Sequence, residues 1–207
     1  FVQSKYNLDL GGTGDLVFNT KSDLLFGRLD ANIGPSHNLT LRHNYVSANN
    51  DNVPSSAQRS ATRFYFPTNT YQFPSKTNST VAQLNSVFGA SAFNEGRVGF
   101  QTIREHRETG VTFPQVEIGG GVRAERNGVI QFGTERFSGA NALNQDITEV
   151  TDDFTLIHGS HNIVVGTHNE MFKFANTFIA DYYGYYHFET FDAFKAGTPD
   201  IYRIGFA

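Results

Sequence analysis

The chain has 207 residues, enough for one domain with a sizeable core, and its 17% of charged residues is low against about 25% in ordinary soluble domains. Aromatic residues reach 14%, nearly all Phe and Tyr, and the net charge of −4 gives no reason to expect nucleic acid as a partner. There is no cysteine, which removes disulfides, thiolate metal sites and cysteine nucleophiles, and no apolar run of about 18 residues that would form a membrane-spanning helix.

Near the start, Asp9-Leu10-Gly11-Gly12-Thr13-Gly14 is glycine-rich but lacks the lysine of a phosphate-binding loop, and it reads as a loop tip. Six segments then read as strands, in pairs. Asp23 to Ile33 places Leu25, Gly27, Leu29, Ala31 and Ile33 on one face and Arg28, Asp30 and Asn32 on the other. Gly34-Pro35-Ser36 supplies a tight turn. Asn38 to Ser47 returns with Leu39, Leu41 and Tyr45 opposed to Thr40, Arg42 and Asn44.

The second pair is Thr80 to Phe88 and Glu95 to His106, reversed at Gly89-Ala90-Ser91. Ala82, Leu84 and Phe88 alternate with Gln83 and Asn85; Val98, Phe100 and Thr102 alternate with Arg97, Gly99 and Gln101. The third pair is Asp146 to Ile157 and His161 to Lys173, joined by His158-Gly159-Ser160. Thr148, Val150, Phe154 and Leu156 share one side of its first strand, and Ile163, Val165 and Met171 one side of its second.

Turns within pairs are short. The loops between pairs run from Ala48 to Ser79 and from Arg107 to Gln145, lengths rarely found unstructured in compact soluble domains. Outer-membrane barrels combine short turns with long loops in this way, and their strands need only about 9–11 residues with every second one apolar. The loops carry aromatic runs such as Phe64-Tyr65-Phe66-Pro67 and are expected to hold short strands; Gly119-Gly120-Gly121 and Arg126-Asn127-Gly128 read as turns. The fold expected is therefore all-β: about six to eight strands of an antiparallel transmembrane barrel, residues 1–207 forming part of one barrel domain.

Several groups bear on chemistry. His168 and Glu170 share a strand face and, with His187 or His43, would begin a metal or polar-substrate site. The plainer reading favours lumen-facing polar residues bonded across the wall, because two ligands do not make a coordination sphere. His158 and His161 read as turn neighbours rather than ligands. Asp152 and Asp153 point to opposite faces, so they form no acid–base dyad, and Asp152, on the side of Val150 and Phe154, is expected near the barrel rim or under cover. The charged run Arg104 to Glu108 is expected at a solvated strand end, with lipopolysaccharide phosphates as the alternative contact for its arginines. Tyr182, Tyr183, Tyr185, Tyr186 and Phe188 form the densest aromatic cluster. A strand crossing the headgroup zone is favoured there over sugar stacking. The lumen-facing polar set expected is Arg28, Asp30, Arg42, Arg97, Gln101, His168 and Glu170. No catalytic residue, metal or cofactor is expected, since no Gly-x-Ser-x-Gly elbow or other nucleophile constellation is present.

Read in order, Leu41-Arg42-His43-Asn44-Tyr45, Phe113-Pro114-Gln115-Val116, Phe132-Gly133-Thr134-Glu135, Thr151-Asp152-Asp153-Phe154-Thr155-Leu156, Gly159-Ser160-His161, Gly166-Thr167-His168-Asn169-Glu170, Phe172-Lys173-Phe174 and Ala196-Gly197-Thr198-Pro199 resemble the barrel of TonB-dependent receptors. The likeness is to the Oar-like kind, which carry a carboxypeptidase-regulatory-like domain, and it spans about Asp23 to Tyr202. The resemblance implies a bacterial outer-membrane location, uptake of a bulky nutrient and contact with lipid and lipopolysaccharide. It also implies a TonB complex reached through a plug. Receptors of this kind close about 22 strands, so the chain is expected to be a barrel fragment, with plug and signal peptide outside it and open edges met by further strands or other chains. A structural or adhesive surface protein assembling with other chains is the alternative, ahead of a soluble sugar-binding sandwich and of an enzyme.

Overall fold

The computed structural model describes residues 1–53, 62–120 and 128–207. The Gly121 end of one expected glycine turn and Arg126 and Asn127 of the other lie outside the described residues.

Helix α1 (Val2–Tyr6) is followed by strands β1 (Thr20–Ile33), β2 (His37–Asn52), β3 (Arg63–Tyr65), β4 (Tyr71–Gln72), β5 (Ser75–Phe88), β6 (Ala92–His106), β7 (Glu108–Thr109), β8 (Gln115–Ile118), β9 (Val129–Phe132), β10 (Ala140–His158), β11 (His161–Ile179) and β12 (Tyr185–Phe188), then helix α2 (Phe191–Ala196) and β13 (Ile201–Arg203). The six long strands form one antiparallel meander in the order β1-β2-β5-β6-β10-β11, with β4 and β7 prolonging the β2 side at the loop end. The turns fall at residues 34–36, 89–91 and 159–160, where Gly34, Gly89 and Gly159 take positive φ that a Cβ would oppose. The sheet is open: among the described residues no strand pairs with the outer edge of β1 or of β11.

The long strands contain every segment expected from the alternation, and most are longer at the loop end. β10 and β11 have 19 residues each, about 60 Å at roughly 3.3 Å per residue, well beyond what a bilayer requires. The loops shrink accordingly to residues 53–74 and 107–139.

Register assigns the faces. Leu29, Leu41, Ala82, Val98, Val150 and Asn169 stand in one row across the sheet. This leucine face also carries Ile33, Leu39, Leu84, Phe100, Phe154, Leu156, Ile163, Val165 and Met171. Its polar members pair across strands: His37 Nδ1 with Ser86 Oγ at 2.9 Å, His43 Nδ1 with Thr80 Oγ1 at 2.8 Å, and Asn94 Nδ2 donating to Asp152 Oδ1 at 2.7 Å. Asp152 is thus an exposed carboxylate on the apolar face, held by Asn94 one row from Phe154.

The compact core lies in the connections, not in the long sheet. Segments of both loops and of the chain after β11 assemble a second sheet in the order β13-β12-β8-β9-β3, with β12 parallel to β8 and β9 parallel to β3. One face of it presents Val116, Ile118, Phe132 and Phe188, which close on Leu8 and Phe194 as a buried cluster. Phe132 is 1% exposed, with the rings of Phe66, Phe113 and Phe194 at 6.4, 6.3 and 5.7 Å. The glycine-rich segment after Asp9 is a loop, as read, and Gly11 packs on Pro67, leaving no room for a Cβ. This second sheet and its helices form a cap.

One expectation changes here. Tyr185–Phe188 is a strand of the cap, not a strand of the long sheet: Tyr185 and Phe188 are buried, while Tyr182 and Tyr183 lie in the turn before it. Pairing with β8, some seventy residues earlier, decides this placement, and no local periodicity reports it.

Candidate functional site

The opposite, arginine face of the long sheet carries charged or titratable side chains on five of its six strands, β5 contributing only neutral ones. Arg28, Arg42, Val81, Gly99, Glu149 and Glu170 share one row, and Asp30, Thr40, Gln83, Arg97, Thr151 and His168 share the next. Gln101 stands on the same face, between Ser79 and Ile147. All of the expected lumen-facing residues therefore lie on one face, and the register brings them into a continuous band.

Within the band like charges are directly opposed, Arg28 with Arg42 and Glu149 with Glu170. Such pairs are unfavourable unless diagonal neighbours compensate. Arg28 is doubly bonded to Asp30 at 2.8 Å, and Thr40 Oγ1 donates to Asp30 at 2.6 Å. Arg97 Nη2 donates to Glu149 at 2.8 Å. His168 shares hydrogen bonds with Thr151 Oγ1 at 2.9 Å and Glu170 Oε1 at 3.2 Å. Arg42 donates to Gln83 at 3.3 Å, and its buried Nε has no hydrogen-bond partner. The β1–β2 side of the face is thus cationic and the β10–β11 side anionic.

The metal alternative finds no geometry. His43 is on the leucine face, His187 is in the cap, and among the described residues no group of three His, Asp or Glu side chains could hold an ion. His158 and His161 face each other across the Gly159-Ser160 turn. Asp152 and Asp153 fall on opposite faces, beside Gly96 and Glu95 respectively.

Toward the loop end both faces change character. The leucine face becomes polar, with Lys76 beside Arg104, then Asp146 and Lys173; Arg104 is ion-paired with Asp146. The arginine face becomes apolar, with Leu24, Phe26, Val46, Ile103, Ile147, Phe172, Phe174 and Phe178. Phe172 and Phe174 lie ring-parallel at 5.6 Å, and Phe178 stacks on Phe137 of the cap connection at 6.3 Å.

The cap is fastened to this end by groups that no sequence pattern marks. Arg136 Nε and Nη2 donate to Asp181 at 2.6 and 2.8 Å, and those hydrogen bonds raise the affinity of the guanidinium for its proton. Its face covers the Tyr185 ring at 4.4 Å. Burial, followed by the Glu117 charge, pushes the Tyr185 phenol up to about 12. Glu135 is buried and accepts from Ser138 Oγ and the Phe137 amide at 2.6 and 3.0 Å. In the cap a pocket of about 300 Å³ opens between Tyr6, Phe113, Pro114, Tyr186, Phe194 and Pro199. That volume is at the lower end for small-molecule sites, and these lining residues are uncharged.

Neither a curated protein nor a solved structure matches this chain. A family model described as an outer membrane beta barrel domain matches residues 13–203, which include all the long strands and most of the cap. With alternating faces, short turns and long loops already in place, the conclusion is direct: the chain belongs to the outer membrane beta barrel domain family and is a protein of the bacterial outer membrane.

Proposed function

We propose that this chain is a wall segment of a TonB-dependent receptor that takes up a bulky nutrient, with the cap on the extracellular side. The observation that carries the reading is the reversal of face polarity along the strands. Near the turns, apolar side chains point outward to lipid and the charged band points into the lumen. Near the loops, polar and cationic groups point outward, and Phe172, Phe174 and Phe178 point inward beneath the cap. A conduit with a ligand-capturing vestibule needs both halves. Lys76, Arg104 and Lys173, just beyond the apolar band, suit the phosphates of lipopolysaccharide. The TonB dependence rests on the sequence resemblance, through a plug that would fill the lumen and meet the charged band. The reading assigns no catalysis and no cofactor.

The test is uptake in the native host. Loss of the gene should abolish growth on, or accumulation of, at least one bulky nutrient, and in the parent strain that uptake should stop on adding a protonophore. Uptake that persists without the proton-motive force would defeat the TonB-dependent reading.

The second reading, a structural or adhesive surface protein, draws on the open edges of β1 and β11, which must be covered by strands of some origin within lipid. Cross-linking from cysteines placed on these two edges distinguishes them: joins between different chains favour assembly, and joins within one chain favour a receptor barrel.

A further inference from the structure

We infer that His187 and Asp200 form a pH-operated clasp that holds the strap 189–200 across the cap pocket. His187 is 5% exposed. Its Nδ1 lies 2.7 and 2.8 Å from the two carboxylate oxygens of Asp200, and its Nε2 lies 2.8 Å from the carbonyl oxygen of Gly119. A carbonyl oxygen can only accept, so Nε2 must carry a hydrogen. The Nδ1–carboxylate contact also needs a hydrogen between its atoms, whichever side holds it. The pair therefore binds one proton more than a neutral imidazole beside a carboxylate. When that proton leaves, a lone pair meets either the carboxylate or the carbonyl at under 3 Å, and one of the two contacts is lost.

Among the described residues the charged surroundings offer no substitute donor. Glu117 of β8 stands beside His187 on the same face of the cap sheet, and its carboxylate is taken by Gln131 Nε2 at 2.7 Å. Ile201 of β13 is directly opposite. Arg203 and Tyr185 lie two residues along that face, with the guanidinium on the Tyr185 ring, and Arg136 is paired with Asp181. On α2, Asp192 pairs with Lys195 at the surface.

The clasp ties together two segments that wall the pocket. Asp200 ends the strap that brings Phe194, Gly197 and Pro199 to the pocket, and its amide also donates to the His187 carbonyl at 3.1 Å. Gly119 is held from the other side by donating to the Phe188 carbonyl at 2.9 Å. The strap is therefore shut while the pair keeps its extra proton, and it loosens as pH rises and that proton is lost. This opening exposes the aromatic lining of Tyr6, Phe113 and Tyr186. The inference does not depend on the transport reading.

Hydrogen exchange of the full chain in detergent, read on peptides covering 189–200 at pH 6 and pH 9 and corrected for intrinsic exchange, tests it. At least a ten-fold loss of protection at the higher pH is expected, with β5 and β6 peptides unchanged. In Asp200→Asn the amide can turn its NH₂ toward Nδ1, which satisfies a neutral imidazole, so the strap should stay protected at both pH values. His187→Phe should be unprotected at both, and if that variant fails to fold its cap the asparagine variant still decides. Equal protection of the wild-type strap at both pH values, or unchanged pH dependence in Asp200→Asn, overturns the clasp.

Discussion

Replacing Phe132 by Ala puts the cap's independence to a direct test. Phe132 is 1% exposed and is the ring around which Phe66, Phe113 and Phe194 gather. Truncating a buried Phe to Ala costs about 3–5 kcal/mol, since the transfer energy is lost and the cavity is only partly refilled. At about 1.4 kcal/mol per ten-fold change, the opening equilibrium of the cap should rise by about two to three and a half orders of magnitude. The cap's strands are three or four residues long and its buried apolar cluster is small, so little else resists opening. The long sheet, by contrast, is held by ladders that Phe132 does not join. Hydrogen exchange of the folded full chain should show protection falling about a hundred-fold or more in peptides covering β8, β9 and β12, with β5 and β6 unchanged. Ile130→Ala, two residues away at a side chain 39% exposed, is the control and should cost well under half as much. An unchanged cap in Phe132→Ala, or equal loss from both sheets, would refute the assignment of the core to the cap.

Three further outcomes follow from the same geometry. Val98→Arg places a charge in the apolar band and should lower the free energy of folding into bilayers by about 2–4 kcal/mol, whereas Gln101→Arg on the other face should change it by well under 1 kcal/mol, both read from denaturant titrations in lipid. Arg97→Ala leaves Glu149 opposed to Glu170 without its cation; because both partners are about one-third exposed, a double-mutant cycle with Glu149→Gln should give a coupling of at most about 1 kcal/mol. Tyr185 has its phenol raised to about 12 by burial, so its contribution is intact below the ordinary value near 10, and is lost as pH rises toward 12 because the unfolded chain releases the proton first. Cap stability should fall across that window by hydrogen exchange or tryptic cleavage, and Tyr185→Phe, which keeps the Arg136 stacking, should lessen the fall.

The six membrane strands were legible because alternation is a local property. Leu25 to Ile33 and Ile163 to Met171 each declare their faces without reference to a partner, and the glycine turns set the hairpin register. That Arg28, Arg42, Arg97 and His168 share one face was legible for the same reason: they sit one residue out of phase with the leucines. The cap was not. β3 acquires its identity from Arg63 meeting Val129, and β12 from Tyr185 meeting Gln115 on one side and Arg203 on the other. Segments of three or four residues carry too little period to show a face, and parallel pairing between distant loops leaves no turn signal. His187 and Asp200, thirteen residues apart, lie on either side of a helix whose Thr190 cap and Gly197 terminus bend the chain back between them.

The ends of the long strands were missed for a more instructive reason. Alternation does not stop there; its phase shifts. On β11 the apolar side chains sit at odd positions, Ile163 and Val165, and then at even ones, Phe172, Phe174 and Phe178. On β1 they move from Leu29 and Ile33 to Leu24 and Phe26, on β2 from Leu39 and Leu41 to Val46, and on β6 from Val98 and Phe100 to Ile103. The register aligns these shifts in neighbouring rows: the row containing Phe100 and Met171 ends the continuous outward apolar run on β6 and β11, Leu25 and Tyr45 stand one row beyond it on β1 and β2, and the row of Phe26, Ile147 and Phe172 is the first reversed. A shared height across strands is what a membrane boundary requires, because lipid acts on the whole wall at one level. From Ile163 to Met171 the strand rises about 26 Å, or about 20 Å along the membrane normal at a tilt of about 40°. With the reach of the terminal side chains this matches an apolar band of about 25 Å. On the proposed reading the outer face beyond that level meets water and headgroups, and the inner face lies beneath the cap. A one-residue slip of β11 against β10 would turn Phe172 and Phe174 outward and Lys173 inward, and would send Ile163 and Val165 into the lumen, so the two environments together fix the register more firmly than either could alone.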